Sequence, residues 1–388
     1  MTLLLVYSVT LMAAVLLSGR AHRTVLSTTV LFLAAGVLAG PVTGWVQVGP
    51  EDPVVSVVAT VALFVVLFTD GMHLSASEVS AAWRLPGRAL LLGLPLTIVF
   101  GAVVCVVTGV LDPVGAALVA AVLAPTDPVF ASALIGRPEV PERLRNLLNV
   151  ESGLNDGLAL PVVLVLITVV SGQQVELGLI VAELLGGLVL GVVVPWALIR
   201  LEQTRWFDAY GKYQPLNGFA IGAVLFSLCA ITHANPFLAA FAAGITVRSL
   251  SPEVARSYEE FAEPAGELVK LGAVLTFGLL LIPSVFASIP PAGWIAALLL
   301  LLAVRPAALG LALLGARLPA AEFWAAAWFG PKGFASVTYG LLLLSEGVPH
   351  ADLEFGIVAA VIAASIVLHS TTDHLVARGF ARRMAEAP

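Results

Sequence analysis

Two short stretches of this chain place carboxylates among other oxygen donors where regular structure is expected to fail. The first is Ala124-Pro125-Thr126-Asp127-Pro128. Each proline lacks a backbone donor and clashes with the carbonyl four residues back, so a helix must break here. A break at bilayer depth is tolerated only beside a cavity. Its freed carbonyls, the Thr126 hydroxyl and the Asp127 carboxylate could coordinate a small cation. Asp127 is also expected to cap the half-helix that follows it. The second stretch is Val150-Glu151-Ser152-Gly153-Leu154-Asn155-Asp156-Gly157. Helical spacing puts Glu151 with Asn155 on one face and Ser152 with Asp156 on another, about 100° apart. Asp156, with Ser152 one turn away, is then free to line an ion site while Glu151 meets a different neighbour. Glu151 would suit a first-turn position at a helix entrance, but Asp156 lies deeper.

Two further positions carry charge inside apolar sequence. Arg305, followed by Pro306, keeps its charge when buried and needs a carboxylate. Glu151, Asp127 and Asp156 are the candidates. Glu151 is the expected partner, because a permanent bridge to Asp156 would disable that group as a carrier. Phe329-Gly330-Pro331-Lys332-Gly333 predicts a second interrupted helix, with Lys332 balancing half-helix C-terminal dipoles and nearby carboxylates. Thr69 and Asp70 either line the cytoplasmic mouth or mark the membrane edge. Glu267 and Lys270, three apart, are expected to form a local helix pair. His73, His233, His350, His369 and His374 sit near span ends and read as interfacial.

The elements that hold these residues follow from composition. Of 388 residues, 59% are apolar and 11% charged, against about 45–50% and about 25% in soluble domains. Mean hydropathy is +1.01. That excludes disorder, and a net charge of −6 without a basic run excludes a nucleic-acid binder. Cys105 and Cys229 lie in apolar stretches and form neither a disulfide framework nor a metal site. A polytopic, all-α membrane protein remains. Spans are expected near 3–18, 24–40, 54–72, 88–110, 113–136, 146–171, 177–199, 215–232, 236–250, 266–288, 292–315, 322–345 and 353–375. The first lacks a basic n-region and a cleavage site, and so reads as a span. The segments are too long, and alternate too little, for barrel strands.

Loop charges test that arrangement. Every Lys and Arg except Lys270, Arg305 and Lys332 falls in one alternate set of loops. The other set holds Glu51, Asp52, Asp112, Glu176, Glu346, Asp352 and Glu354 and no basic residue. The positive-inside rule then expects the N-terminus outside and a short Arg-rich tail, 377–388, in the cytoplasm of a plasma-membrane protein. Without a Walker A motif, nucleotide does not supply energy within this chain. The two broken spans, fifth and twelfth, become equivalent if spans 1–6 and 8–13 are inverted repeats. That is the pattern of a transporter with its site where the breaks cross.

These residues together resemble the monovalent cation/proton antiporter family, in its NhaP and sodium/proton exchanger branch. The match lies in Thr126-Asp127-Pro128, Glu151-Ser152-Gly153-Leu154-Asn155-Asp156, Arg305-Pro306 and the Gly-Pro-Lys-Gly break, in that order along nearly the whole chain. The resemblance implies an NhaA/NhaP-like fold with a moving core (88–171 and 292–375) and a dimerisation scaffold (1–72 and 177–288). It also implies a homodimer with elevator-like alternation, not an enzyme and without a cofactor. Asp156 would be the carboxylate shared by cation and proton, with Thr126, Asp127 and Ser152 completing or orienting the site. Asn155 stands where electrogenic relatives carry a second Asp, which implies one proton per cation. Glu151 and Arg305 would be the stabilising pair of this branch. Many relatives have Arg where this chain has Lys332, and some place a Glu near Thr69 or Asp70.

The mechanism expected is competition, with sodium the first candidate and potassium or lithium the others. One carboxylate binds either cation or proton and crosses only when neutralised, so it must titrate near the working pH. Two rival readings are a sodium-coupled symporter of an organic solute, which needs a roomier pocket, and an intramembrane aspartyl protease pairing Asp127 with Asp156. Thirteen spans and an Asp held between prolines weigh against proteolysis.

Overall fold

A computed structural model of the chain describes residues 1–21, 28–74, 85–127, 140–172, 177–204, 206, 213, 216–346, 348 and 351–385. Pro128, Arg23, Arg84, Arg137, Arg205, Lys212, Glu176 and His350 lie outside the described residues, as does the second half of the span expected at 113–136. So do the side chains of Arg20, His374, Arg378, Arg382 and Arg383.

All regular elements among the described residues are helical. They are α1 (Thr2–Ala21), α2 (Thr28–Val42), α3 (Pro53–Met72), α4 (Leu85–Val107), α5 (Pro113–Val122), α6 (Glu142–Val170), α7 (Leu177–Glu202), α8 (Leu216–Thr232), α9 (Pro236–Leu250), α10 (Pro252–Leu279), α11 (Pro283–Ala287), α12 (Pro291–Ala312), α13 (Ala320–Trp328), α14 (Phe334–Ser345) and α15 (Ala351–Ala385). Helical residues occupy every expected span, and α3, α4, α6, α7, α12 and α15 each contain a stretch long and apolar enough to cross a membrane.

Several of these helices start for one local reason. Asp52-Pro53, Asp112-Pro113, Asn235-Pro236 and Ser251-Pro252 each put a capping oxygen before a proline at the first helical position. The cap satisfies orphan N–H groups and the proline has none to lose. Asp52, for example, accepts from the Val54 N–H at 3.0 Å. Prolines also explain the irregularities. Pro306 cannot donate to the carbonyl of Leu302, and α12 is interrupted at Ala303, between Leu302 and Val304. In α4, Pro95 follows a π-helical turn at Ala89–Gly93.

Two boundaries differ from the sequence reading. The span expected at 266–288 belongs to a helix that begins at Pro252 and ends at Leu279. Its polar first part, through Glu253, Arg256 and Glu259, is helical because of the Ser251 cap and not because it is apolar, so hydropathy missed it. The last helix runs through Ala385 and absorbs most of the tail expected at 377–388.

Close packing uses small residues, which let helix backbones approach where no hydrophobic effect drives them together. A Cβ on Gly71 of α3 would overlap the carbonyl of Phe241 in α9, and one on Gly244 of α9 would overlap the carbonyl of Phe68. Gly36 and Gly278 make the same contact between α2 and α10. Gly187 and Gly191 of α7 sit on the carbonyls of Asn235 and Ala239. Outer faces carry lipid-compatible side chains, such as Leu185, Val189, Val192 and Trp196 on α7.

Gly71→Val should therefore lower stability by about 1–3 kcal/mol through overpacking. Gly49→Ala, with nothing within 4 Å of the added carbon, should stay within about 0.5 kcal/mol. Thermal unfolding of the detergent-solubilised protein compares the two.

Candidate ion site at the crossing of two broken helices

The first break begins where α5 stops at Val122, and residues 123–127 are unwound. The second lies between α13 and α14, over residues 329–333. The two cross and share hydrogen bonds. The Asp127 N–H donates to the Pro331 carbonyl at 3.0 Å. Asp127 Oδ2 accepts from the Phe334 N–H, the first residue of α14, at 2.9 Å. Ser336 Oγ, one half-turn on, donates to the Val122 carbonyl left open at the end of α5 at 2.9 Å. So Asp127 caps the half-helix of the opposite break; the segment that follows it, where a cap was expected, lies outside the described residues. The carboxylate also meets the positive end of the α14 dipole there.

The glycines of the second break make room for this. A Cβ on Gly333 would fall inside the Asp127 carboxylate, and one on Gly330 inside the Arg305 side chain. The two glycines thus admit an acid on one side of the unwound segment and a guanidinium on the other.

Helix α6 supplies the remaining donors. Thr126 Oγ1 lies 3.1 Å from Ser152 Oγ and accepts from Asn155 Nδ2 at 2.7 Å. Thr126, Ser152, Asn155 and Asp156 are all at most 5% exposed. Asn155 therefore joins Ser152, three residues away, and not Glu151 as the four-residue spacing suggested. Its Oδ1 makes no hydrogen bond among the described residues, and neither does Asp156 Oδ1. The Asp156 carbonyl is held by the Tyr339 hydroxyl of α14 at 2.7 Å. This pins the backbone of α6 and leaves the carboxylate to the site.

Asp70 enters this group directly. Its carboxyl, at the end of α3, lies in electrostatic reach of the Asp156 carboxyl. Thr69 is buried on the same turn but faces Gly266 and Tyr258 of α10 and does not join Asp156. Lys270, expected to do no more than pair with Glu267, has Asp70, Asp127 and Asp156 as well as Glu267 in electrostatic reach. Its Nζ stands 5.4 Å from the Phe334 ring centroid, a cation–π distance. The signal available in the sequence was a lysine inside an apolar segment; which face it took depends on the packing of α10 against α3.

The second charge group is separate. Arg305 forms a two-pronged bond to Glu151, Nη1 to Oε1 at 2.7 Å and Nη2 to Oε2 at 3.0 Å, with both residues at most 6% exposed. Its Nε donates to the Ala326 carbonyl in the last turn of α13 at 3.2 Å. Lys332 is buried, its N–H donates to Ser365 Oγ at 2.8 Å, and its charged neighbours are Arg305 and Glu151. His369, read as interfacial, is 3% exposed. One ring nitrogen lies 3.0 Å from the Trp328 carbonyl and the other 3.0 Å from Ser365 Oγ. The carbonyls freed at the end of α13 are thus met by Arg305 and His369, and the unwound segment by Ser365.

What this arrangement offers chemically is a pair of carboxyls, Asp70 and Asp156, beside hydroxyl and amide oxygens, with no counter-ion in two-pronged contact among the described residues. Oxygen donors of this kind suit a small hard cation, and a carboxyl pair can equally hold a proton.

The sodium/hydrogen exchanger transmembrane family profile matches residues 8–378. The chain belongs to the sodium/hydrogen exchanger family. Among curated relatives, the K(+)/H(+) antiporter NhaP2 of Shewanella baltica (strain OS223) is 23% identical over 380 residues. The alignment covers 94% of this chain and 64% of that protein. The K(+)/H(+) antiporter NhaP of Alkalimonas amylolytica is 25% identical over 378 residues, with the same coverage. The chain thus spans a little under two thirds of the length of these relatives. In fold it is similar to the sodium proton antiporter MjNhaP1 from Methanocaldococcus jannaschii at pH 8, with a TM-score of 0.79, 16% identity, and coverage of 98% of this chain and 99% of that one.

Breaking the Glu151–Arg305 pair from one side strands a buried charge, which costs about 3–5 kcal/mol. Arg305→Met or Glu151→Leu alone should therefore lose folded yield and melting temperature sharply. The double variant should recover part of the loss, since neither charge is left unpaired. Melting curves of the three variants in detergent provide the comparison.

Proposed function

We propose that this chain is a secondary antiporter that exchanges a monovalent cation for protons at Asp156. The observation that carries the reading is the buried Asp156 carboxyl, with Oδ1 unpartnered, at the crossing of two interrupted helices. A desolvated carboxylate needs a neutralising partner before it can move through the membrane. A proton or a monovalent cation supplies one positive charge, and either excludes the other. Asp70 contributes a second carboxyl to the same place. Thr126 and Ser152 orient the site, and Asn155 adds a neutral oxygen where a further acid would add charge. Asp127 holds the crossing. The Glu151–Arg305 pair is already neutral and takes no part in the exchange.

One exchanging charge on Asp156 makes electroneutral, one-for-one exchange the stoichiometry of this proposal. Sodium is the first candidate for the cation. Potassium stands second, because relatives in Shewanella and Alkalimonas are named K(+)/H(+) antiporters, and lithium third. The proposal includes a homodimer in the plasma membrane, N-terminus outside and C-terminus in the cytoplasm. Its core, 88–171 and 292–375, shifts against a scaffold of 1–72 and 177–288. The glycine-lined contacts of α3 with α9 and of α2 with α10 support a rigid scaffold of that kind.

The experiment is exchange in sealed vesicles with an internal pH dye and an imposed pH gradient, adding sodium, potassium or lithium in turn. Cation-dependent collapse of the gradient, lost in Asp156→Asn, is expected. Exchange that persists in Asp156→Asn, or no response to any of the three ions, would overturn the assignment. A membrane potential generated by exchange would overturn the one-for-one stoichiometry alone. On the acid limb the cation concentration for half-maximal rate should rise about tenfold for each unit by which pH falls, because protons occupy the same carboxyl by mass action. An initial-rate series at fixed pH steps measures that slope.

A further inference from the structure

A second pair of acids lies at the other end of α5, away from Asp156. Asp112 caps that helix, its Oδ2 accepting from the Val114 N–H at 3.0 Å and the Gly115 N–H at 3.5 Å. Glu354, in the first turn of α15, reaches the same glycine: a Cβ on Gly115 would collide with Glu354 Oε1 and would stand 3.0 Å from Asp112 Oδ1. The two carboxyls therefore flank one Cα. Asp112 is exposed, while Glu354 is 2% exposed and its Oε2 has no hydrogen-bond partner among the described residues. Both residues line a cavity of about 380 Å³ with Val110, Val114, Val169 and Leu353.

Among the described residues, no positive charge answers this buried acid; His350, four positions earlier, lies outside them. Asp112 is the charged group in its electrostatic reach. The ends of α4 and α6 bring Val110, Leu111, Val169 and Val170. α11 and the start of α12 bring no titratable group. Asp352, on the preceding part of α15, is exposed, and its carbonyl lies 3.5 Å from Ser288 Oγ. The loops on this side hold acids, His233 and His350, and no Lys or Arg. An ionised Glu354 would be a dry anion beside a second anion, which is costly without a counter-charge. Of two such acids the exposed, N–H-bonded one keeps its charge and the buried one takes the proton.

We propose that Glu354, with Asp112 beside it, is a proton-binding site at the acidic face of the protein, distinct from Asp156. Its proton holds the start of α15 against the start of α5. Loss of the proton leaves two adjacent anions and separates them. The two helices matter because of what they carry further along. α5 leads to Thr126 and Asp127 at the first break, and α15 carries Ser365 and His369, which hold the second. The site would thus link pH on the acidic face to the packing of the crossing. The inference does not rest on the antiport reading, and it can be tested in a transport-dead protein.

The experiment is infrared difference spectroscopy across a pH titration in the Asp156→Asn background, compared with Asp156→Asn/Glu354→Gln. The expected result is a protonated-carboxyl band that fades at alkaline pH in the first protein and is missing from the second. Alongside it, Val114→Cys, added to a chain whose two native cysteines are replaced by Ala, reports access to the cavity through a membrane-impermeant maleimide. Its labelling, corrected for thiolate content, should rise on the order of tenfold as the band fades, and should stay flat when Glu354→Gln is added. Identical band patterns in the two backgrounds, or labelling that rises equally with Glu354→Gln, would overturn the proposal. Asp112→Asn serves as the second variant if Glu354→Gln folds poorly. It should move the fading of the band to lower pH, because the adjacent negative charge that favours the protonated form is gone, and an unmoved band would count against the pairing.

Discussion

The rest of the site depends on one junction, in which Asp127 bonds the opposite break from both its backbone and its side chain. Its N–H goes to Pro331 and its carboxylate to the N–H of Phe334. Two interrupted helices at bilayer depth leave open donors and acceptors that lipid cannot satisfy. Here each break supplies what the other lacks. Asp127 caps α14, Ser336 meets the end of α5, and the glycines at 330 and 333 remove the side chains that would keep them apart. A bond from an N–H to a carboxylate is worth about 1.5–3 kcal/mol net, and more is lost if the buried acid is left alone. Once the crossing is fixed, Thr126 has only one place to be, and Ser152 and Asn155 of α6 close on it.

The charges then divide by role. Glu151 and Arg305 satisfy each other and tie α6 to α12, while Arg305 and His369 together meet the carbonyls at the end of α13. Lys332 stands with that group. On the other side of the crossing, Asp70 and Asp156 have no two-pronged partner among the described residues, and Lys270 reaches them through space. A pair locked in a salt bridge cannot exchange its ions without unfolding its contacts. Carboxyls without such a lock can, and their cost in the apolar interior is what makes a neutralising ion necessary.

Much of this was legible in the sequence because it involves residues whose presence in apolar helices needs a reason. Asp127, Asp156, Glu151, Arg305 and Lys332 stand out on burial cost alone, and three prolines and two glycines announce the breaks. Charge partition between alternate loops ordered the spans. What escaped was relative rotation and long-range packing. Helical spacing grouped Asn155 with Glu151, but the position of Thr126 decides which side Asn155 faces. Lys270 and Asp70 lie on helices whose approach to α6 is set by glycine contacts far along the chain, such as Gly71 on Phe241. His369 looked interfacial by position, and its burial follows from the short α13 ending under α15. The polar first half of α10 was missed because hydropathy measures composition and not capping.

The central claim is that cation and proton compete for Asp156 in a site assembled by the crossing. Proton release on cation binding tests it most directly. The purified protein, in weakly buffered detergent with a pH dye, would receive sodium or potassium at a pH where the carboxyl is protonated. The account predicts release of about one proton per cation bound, shrinking as the starting pH rises and absent in Asp156→Asn. Cation binding without proton release, or release that survives in Asp156→Asn, would contradict it.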